Sequence, residues 1–324
     1  MWARERSSQM GEELNSTRKS HLFLEHCETV ETGPPSSSLR AVWPLHEKGT
    51  ISQYSDRNKQ QTRYCVEVSQ LLEEGVKLEP ARYYRLAHRK AIHAQEELKV
   101  VFALLPPCVQ VADSALPERN PHSYPVCDAL WLMAIANSFS VNALARPRVG
   151  LNLLKHNRET IPLPAAPTAR ALLVHHALRL SCNHQGFQDL WDGELRRVWH
   201  EPKPLNTWPV LETEDERWAV RAVIDAVVAD AYGLNRSQYE HILSTFSHKS
   251  YPKAPELCLA AFDELKAIGL EAFTKKHDPY WDIPLNEELP KPVIDLPIPS
   301  DSADQVREGT LPLYGASEPE QEDE

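Results

Sequence analysis

The residues best suited to chemistry are three histidines and a scatter of cysteines. His175 and His176 are adjacent, and His184 stands two places after Cys182. Imidazole and thiolate are the usual zinc ligands, but structural zinc sites recur as paired ligands at characteristic spacings. These histidines have no partner at such a spacing and read as surface or capping residues. The six cysteines, Cys27, Cys65, Cys108, Cys127, Cys182 and Cys258, include no Cys-x-x-Cys pair. That pattern suits free thiols in a reducing cytoplasm, and cytoplasmic placement is the expectation. No His-Glu-x-x-His, Gly-x-Ser-x-Gly or Gly-x-x-x-x-Gly-Lys-Ser/Thr occurs, and GLNLLKHNR from Gly150 lacks the second glycine of a phosphate loop. The chain holds only 11 glycines, little material for loops that cradle phosphates. No catalytic residue and no metal site are expected.

Asp278-Pro279-Tyr280-Trp281 invites a different chemistry. A carboxylate and a backbone carbonyl beside a proline can hold the amine of a flipped base while an aromatic ring stacks on it. That use requires a second proline, which is missing. The segment also follows TKKH instead of a strand, and no Gly-rich cofactor loop precedes it. A packed turn is expected.

The elements that would position any site divide the chain unevenly. Gly33–Ser38 is a loop signal, after which AVWPLHEKGTISQYSD, TRYCVEV, Arg82–Ile92 and Leu98–Ala112 alternate like strands. Pro106 and Pro107 cannot donate to a ladder, so the last of these turns or sits at an edge. From Val126 the period becomes helical, with one buried helix running to the Arg146-Pro147-Arg148 stop. RETIPLPAAPT reads as an extended connector, and Thr168–Leu180 as the next helix. Val220, Val223, Ile224, Val227, Val228 and Ala231 form one apolar stripe from Glu214 onward. Gly233 suits a left-handed stop, and Asn235 with Gln238 predicts a capping box for a following helix. Another helix is expected over Ala254–Phe273.

The formal charge of −11 is unevenly placed. Residues 271–324 carry four Lys/Arg against 14 Asp/Glu, whereas residues 81–200 carry 14 against nine. The acidity belongs to a Pro-rich tail, expected to be disordered over Ser300–Glu324, and the middle is mildly basic. The longest apolar run, Ala129–Ala136, is too short to cross a bilayer, and no secretory signal is visible.

Six segments, in order, carry a resemblance. GEELNSTRKSHLF (Gly11–Phe23), PLHEKGTISQYSDR (Pro44–Arg57), YYRLAHRKAI, LKVVFALLPPCV, AIANSFSVNALARPRVGLNLLKHNRETIPLP and IDAVVADAYGLNRSQYEHILSTF are similar to the C-terminal half of large adenine-specific DNA methyltransferases of restriction and phage-exclusion systems. The likeness spans about residues 11 to 299. The family's S-adenosylmethionine site and its Asn-Pro-Pro-Tyr motif belong to the other half and do not occur here. The chain therefore looks like a detached or truncated recognition half, predicted inactive alone.

The resemblance implies an α+β fold: an N-terminal connector (1–40), a mixed α/β target-recognition region (41–166), a helical region (167–276) and an acidic tail (277–324). It implies double-stranded DNA as ligand, a separate methyltransferase chain as partner, S-adenosylmethionine bound by that partner, and no membrane. Arginine and lysine position a duplex through phosphates, while Arg, Asn and Gln read base edges. The candidates are Lys48, Gln53, Tyr54, Arg85, Arg89, Arg146, Arg148 and Asn152, with Asn137 and Asn142 expected to cap or pack. The alternative readings are a protein-interaction or scaffold subunit, in which the C-terminal helices dock a catalytic chain, and a non-functional fragment.

Overall fold

The computed structural model describes residues 9–25, 42–57, 62–164, 169–200 and 207–296. The fold is α+β, with two small sheets and a larger helical part. The disorder expected for residues 300–324 and most of the N-terminal connector fall outside the described residues.

The first sheet has the order β1-β3-β2-β6: β1 (Leu24–Glu25), β3 (Tyr64–Glu67), β2 (Val42–His46) and β6 (Gln110–Val111). Its β2–β3 pair is antiparallel and its β2–β6 pair parallel. The second sheet is antiparallel, with β4 (Arg85–Arg89) between β5 (Phe102–Leu105) and β7 (Ala115–Pro117). The run Leu98–Ala112 thus breaks at its proline pair, as a residue with no N–H must break a ladder. Its first part is an edge strand of one sheet and its last part joins the other. Cys108, at φ +62°, makes the turn between them.

One long helix was the expectation from Val126, and the structure corrects it to two. α2 (Val126–Ala136) and α3 (Phe139–Ala145) meet at 69°. Ser138 causes the break: its hydroxyl accepts the Val141 N–H at 3.2 Å, starting a new helix just after the apolar run that ends at Ala136. Every residue of α2 is buried, which explains why its sequence is apolar all round. Asn137 and Asn142 pack as expected, bonding to Phe102 of β5 and to Val100 just before it. Short helices α1 (Val68–Glu73) and α4 (Lys155–Thr160) were not foreseen, and α4 takes in the start of the supposed extended connector.

α5 (Arg170–Ser181) packs against α2, followed by α6 (Gln188–Glu194). α7 (Glu214–Ala231) carries the anticipated stripe, with a Thr213/Glu216 capping box at its start. Gly233 stops it at φ +71°, and Asn235 exchanges 2.9 Å hydrogen bonds with Gln238 to open α8 (Arg236–Ser244). The expected helix from Ala254 is again two, α9 (Ala254–Ile268) and α10 (Leu270–His277), divided at Gly269 with φ +80°.

The beginning of the presumed tail is packed. Asp278 and Tyr280 are buried, in keeping with a packed turn, and residues 278–296 run back across the molecule. There the Val293 N–H donates to the Arg82 carbonyl at 2.8 Å, and Ile294 joins the core of the first sheet. The largest core cluster likewise draws side chains from both sides of position 166, from Met10 to Ile283.

Two further expectations change. Cys65 is disulfide-bonded, not a free thiol, while Cys108, Cys127, Cys182 and Cys258 are free. His175 and His176 are each 1% exposed, not surface residues. His175 Nδ1 lies 2.8 Å from the Asp278 carboxylate, and burial holds His176 well below its usual pKa. Among the described residues no single helix is long and apolar enough to span a membrane, and no group of three or more His, Cys, Asp or Glu could hold a metal ion.

Candidate functional site

A cleft of about 950 Å³ opens where the second sheet, the 52–57 loop and the helices meet. Its walls come from Ser52–Arg57, Arg89 and the 95–98 segment, Phe139, His184, the start of α7 and the Phe246–Tyr251 turn.

The face of α7 toward this cleft is set by helical spacing. Trp218, Arg221 and Asp225 fall at i, i+3 and i+7, beside the apolar stripe that buries the helix. Asp225 accepts the Phe139 N–H at 2.7 Å, so it helps start α3 from another helix. Arg221 donates to the Gln53 side-chain carbonyl, and Gln53 in turn donates to the Asn137 carbonyl at 2.6 Å. Tyr54, at φ +63°, turns the loop inward and donates its hydroxyl to the Ala134 carbonyl at 3.3 Å. This chain of bonds fastens the 52–57 loop to α2, α3 and α7 together.

Aromatic rings line the same region. Phe139 and Trp218 lie near-parallel at 15°, and Trp218 and Tyr251 at 12° with centroids 5.0 Å apart. The Arg221 guanidinium sits 4.4 Å from the Trp218 ring centre, and Arg146 sits 3.6 Å from that of Phe246. Such cation–ring contacts gain strength when shielded from water.

Burial dominates the electrostatics. It pushes the Asp225 carboxyl up to about 7, against the Phe139 N–H and Arg221, which favour the anion. It lowers Arg221 and Arg217 from the usual arginine value, and it raises the Tyr54 phenol with help from Asp225. Asp56 runs the other way. Burial opposes its charge, yet His184 at 3.0 Å and His46 at 3.7 Å hold the carboxyl well below its usual range. His184 also accepts the Gly186 N–H at 3.0 Å, the capping role expected of it. The cluster joins β2, the 52–57 loop and the segment after α5. It contains no nucleophile poised on a base.

The eight sequence candidates separate into three groups, with Gln53 apart. Lys48, Arg89 and Asn152 gather around Arg89–His93: Lys48 Nζ is 2.8 Å from His93 Nε2, and Asn152 bridges Ala91. Arg89 lies on the cleft wall, giving an N–H to the Ile51 carbonyl at 2.6 Å and facing Glu96 at 3.7 Å. Arg146 and Arg148 flank the end of α3. Arg148 is exposed, whereas Arg146 bonds to the Glu97 and Thr245 carbonyls at 3.2 and 2.9 Å. Tyr54 and Arg85 are enclosed. Arg85, 0% exposed, is held by Glu13 and the Val109 carbonyl, and offers no surface to a ligand. Gln53 lines the cleft with its amide already engaged.

Arg57, Arg217, Trp218, Arg221, Lys249 and Tyr251 line the cleft and were not among the candidates. A usable signal existed for two of them, Trp218 and Arg221. A tryptophan followed by two charged residues at i+3 and i+7 marks a second, polar-aromatic face on an otherwise ordinary amphipathic helix.

No protein-family model matches the chain, and no curated protein matches it.

Proposed function

We propose that the chain is the DNA sequence-recognition part of an adenine-specific (N6) DNA methyltransferase in restriction-modification or phage defence, acting with a separate catalytic chain that binds S-adenosylmethionine. One observation carries this reading. Five of the six segments that resemble such enzymes, spread over two hundred positions, contribute residues to one cleft: Gln53 and Arg57, Arg89, Leu98 and Val101, Phe139, and Phe246. Segments that only pack have no need to share a surface opening; segments that serve a ligand do. The half-buried Lys48 and the exposed Arg148 and Asn152 supply the phosphate and base-edge contacts that a duplex requires. In this role the chain selects the site, and the partner extrudes the adenine and transfers the methyl group.

Electrophoretic mobility shift with duplex DNA at low salt tests the reading, with the catalytic chain present and absent. Retarded duplex supports it, and absence of any shift under both conditions refutes it. A scaffold role is the second reading, favoured by the exposed Leu151 (64%) and Leu154 (39%) beside Lys155. Stable co-purification of a catalytic chain with no DNA affinity would select it.

A further inference from the structure

Within the DNA-binding reading, the cleft fits part of one strand and not a whole duplex, which must lie on the surface around it. Base edges in a duplex are read by an element that enters a groove about 12 Å wide, and that element must protrude. The cleft residues instead lie on the walls of a concavity of about 950 Å³, within the range of sites that enclose small ligands. Its charge is nearly balanced: five Arg and Lys side chains, Arg57, Arg89 and Lys249 among them, face four glutamates. A long polyanion gains little there. A unit with one or two phosphates and a large planar ring is better matched.

The rings supply the second half of the argument. The near-parallel run of Phe139, Trp218 and Tyr251 starts in the core, where Phe139 and Trp218 are buried, and ends at Tyr251, which is half-buried on the cleft wall. The Tyr251 hydroxyl donates to Asp215 at 2.5 Å, which fixes the ring before any ligand arrives. Of the cleft carboxylates, Glu97 is engaged by the Ser247 N–H and hydroxyl at 2.8–3.0 Å, and Glu96 faces Arg89. Arg57 and Lys249 are exposed on the walls of the same cleft.

We propose that the cleft binds a single-stranded nucleotide unit, with an unpaired base stacked on Tyr251 and its phosphate met by Arg57 and Lys249. Stacking on a protein ring accepts any base, so this site contributes affinity and little sequence choice. The inference deepens the nucleic-acid reading of the same cleft and rests on it for the class of ligand. The shared chemistry, base plus phosphate, can come from an unpaired strand or from a free nucleotide.

The test uses the full chain, a labelled single strand of about five nucleotides read by fluorescence anisotropy, and adenosine monophosphate read by calorimetry. Tyr251→Ala is expected to weaken strand binding about tenfold, Tyr251→Phe to keep it, and Lys249→Ala to reduce the salt slope by about 0.7. Circular dichroism melts check that each variant is folded; if Tyr251→Ala is not, Lys249→Ala and Arg57→Ala decide. Equal per-unit binding of the monophosphate with the same dependence on Tyr251 assigns the site to a free nucleotide, and tighter strand binding assigns it to an unpaired strand. Failure of both probes to bind, or binding indifferent to these substitutions, overturns the proposal. Duplex binding is measured on the same variants: if it survives while strand binding is absent, the recognition reading stands and this inference alone fails.

Discussion

The side-chain amide of Asn137 pairs with the backbone of Phe102 as a neighbouring strand would. Its oxygen accepts the Phe102 N–H and its nitrogen donates to the Phe102 carbonyl, both at 2.9 Å. Asn142 repeats the arrangement on Val100 at 2.9 and 3.2 Å. Two asparagines at the α2–α3 corner therefore close the edge of β5 and of the residues leading into it, together with the Tyr54 N–H, which also donates to the Phe102 carbonyl at 3.0 Å. Asn137→Ala should cost about 2 kcal/mol, since it orphans a buried N–H and weakens the hold on its carbonyl. A urea midpoint unchanged from the parent would contradict this account of the edge.

Asp225 predicts a pH dependence. Burial places its carboxyl at about 7, well above its value in an unfolded chain. Between about pH 4 and pH 7 the folded chain keeps a proton that the unfolded chain has released. Stability from this group therefore falls as pH rises through that window and is flat above it. Asp225→Asn retains an oxygen for the Phe139 N–H, removes the decline, and should be more stable than the parent at pH 8 by about 2 kcal/mol. Urea titrations at pH 5.5 and 8 measure it; a variant that declines as the parent does would show that Asp225 is ionised in the folded chain.

The Asp278-Pro279-Tyr280-Trp281 turn is expected to act through packing. Asp278 accepts from the Tyr280 N–H at 2.9 Å and pairs with buried His175, anchoring the strap that returns to Arg82. Asp278→Ala should cost about 3 kcal/mol, because it strips a buried imidazole of its partner. If thermal melts of the variant and parent coincide, the turn has some other role.

Surface and enclosed arginines should separate in DNA binding. Arg148→Ala and Lys48→Ala are each predicted to lower the slope of log K against log salt by about 1, one phosphate contact apiece. Arg85→Ala should instead lower stability by about 3 kcal/mol, leaving the Glu13 carboxylate without its partner. Equal slopes in all three variants would remove Lys48 and Arg148 from the interface.

What could be read in the sequence was local. The Gly233 stop and the Asn235/Gln238 box depend on residues three apart and appear in the structure as expected. The break at Ser138 was hidden because Asn137 and Ser138 are only two polar residues between apolar stretches of helical composition, too few to change the period. The strap after Asp278 was hidden for the opposite reason: prolines and acids suit a solvated chain, and its anchors, His175 and Arg82, lie far away in sequence. For the site, chain order brought Gln53 and Arg89 to notice. Charge alone could not show that Arg85 faces inward, since its partner Glu13 is seventy-two positions distant.

The most direct test of the central claim is the affinity of the full chain for labelled duplex DNA at low salt, with and without an adenine methyltransferase catalytic chain encoded nearby. The account predicts salt-sensitive binding that tightens and gains sequence preference when the catalytic chain is added. No binding of duplex in either case would contradict it.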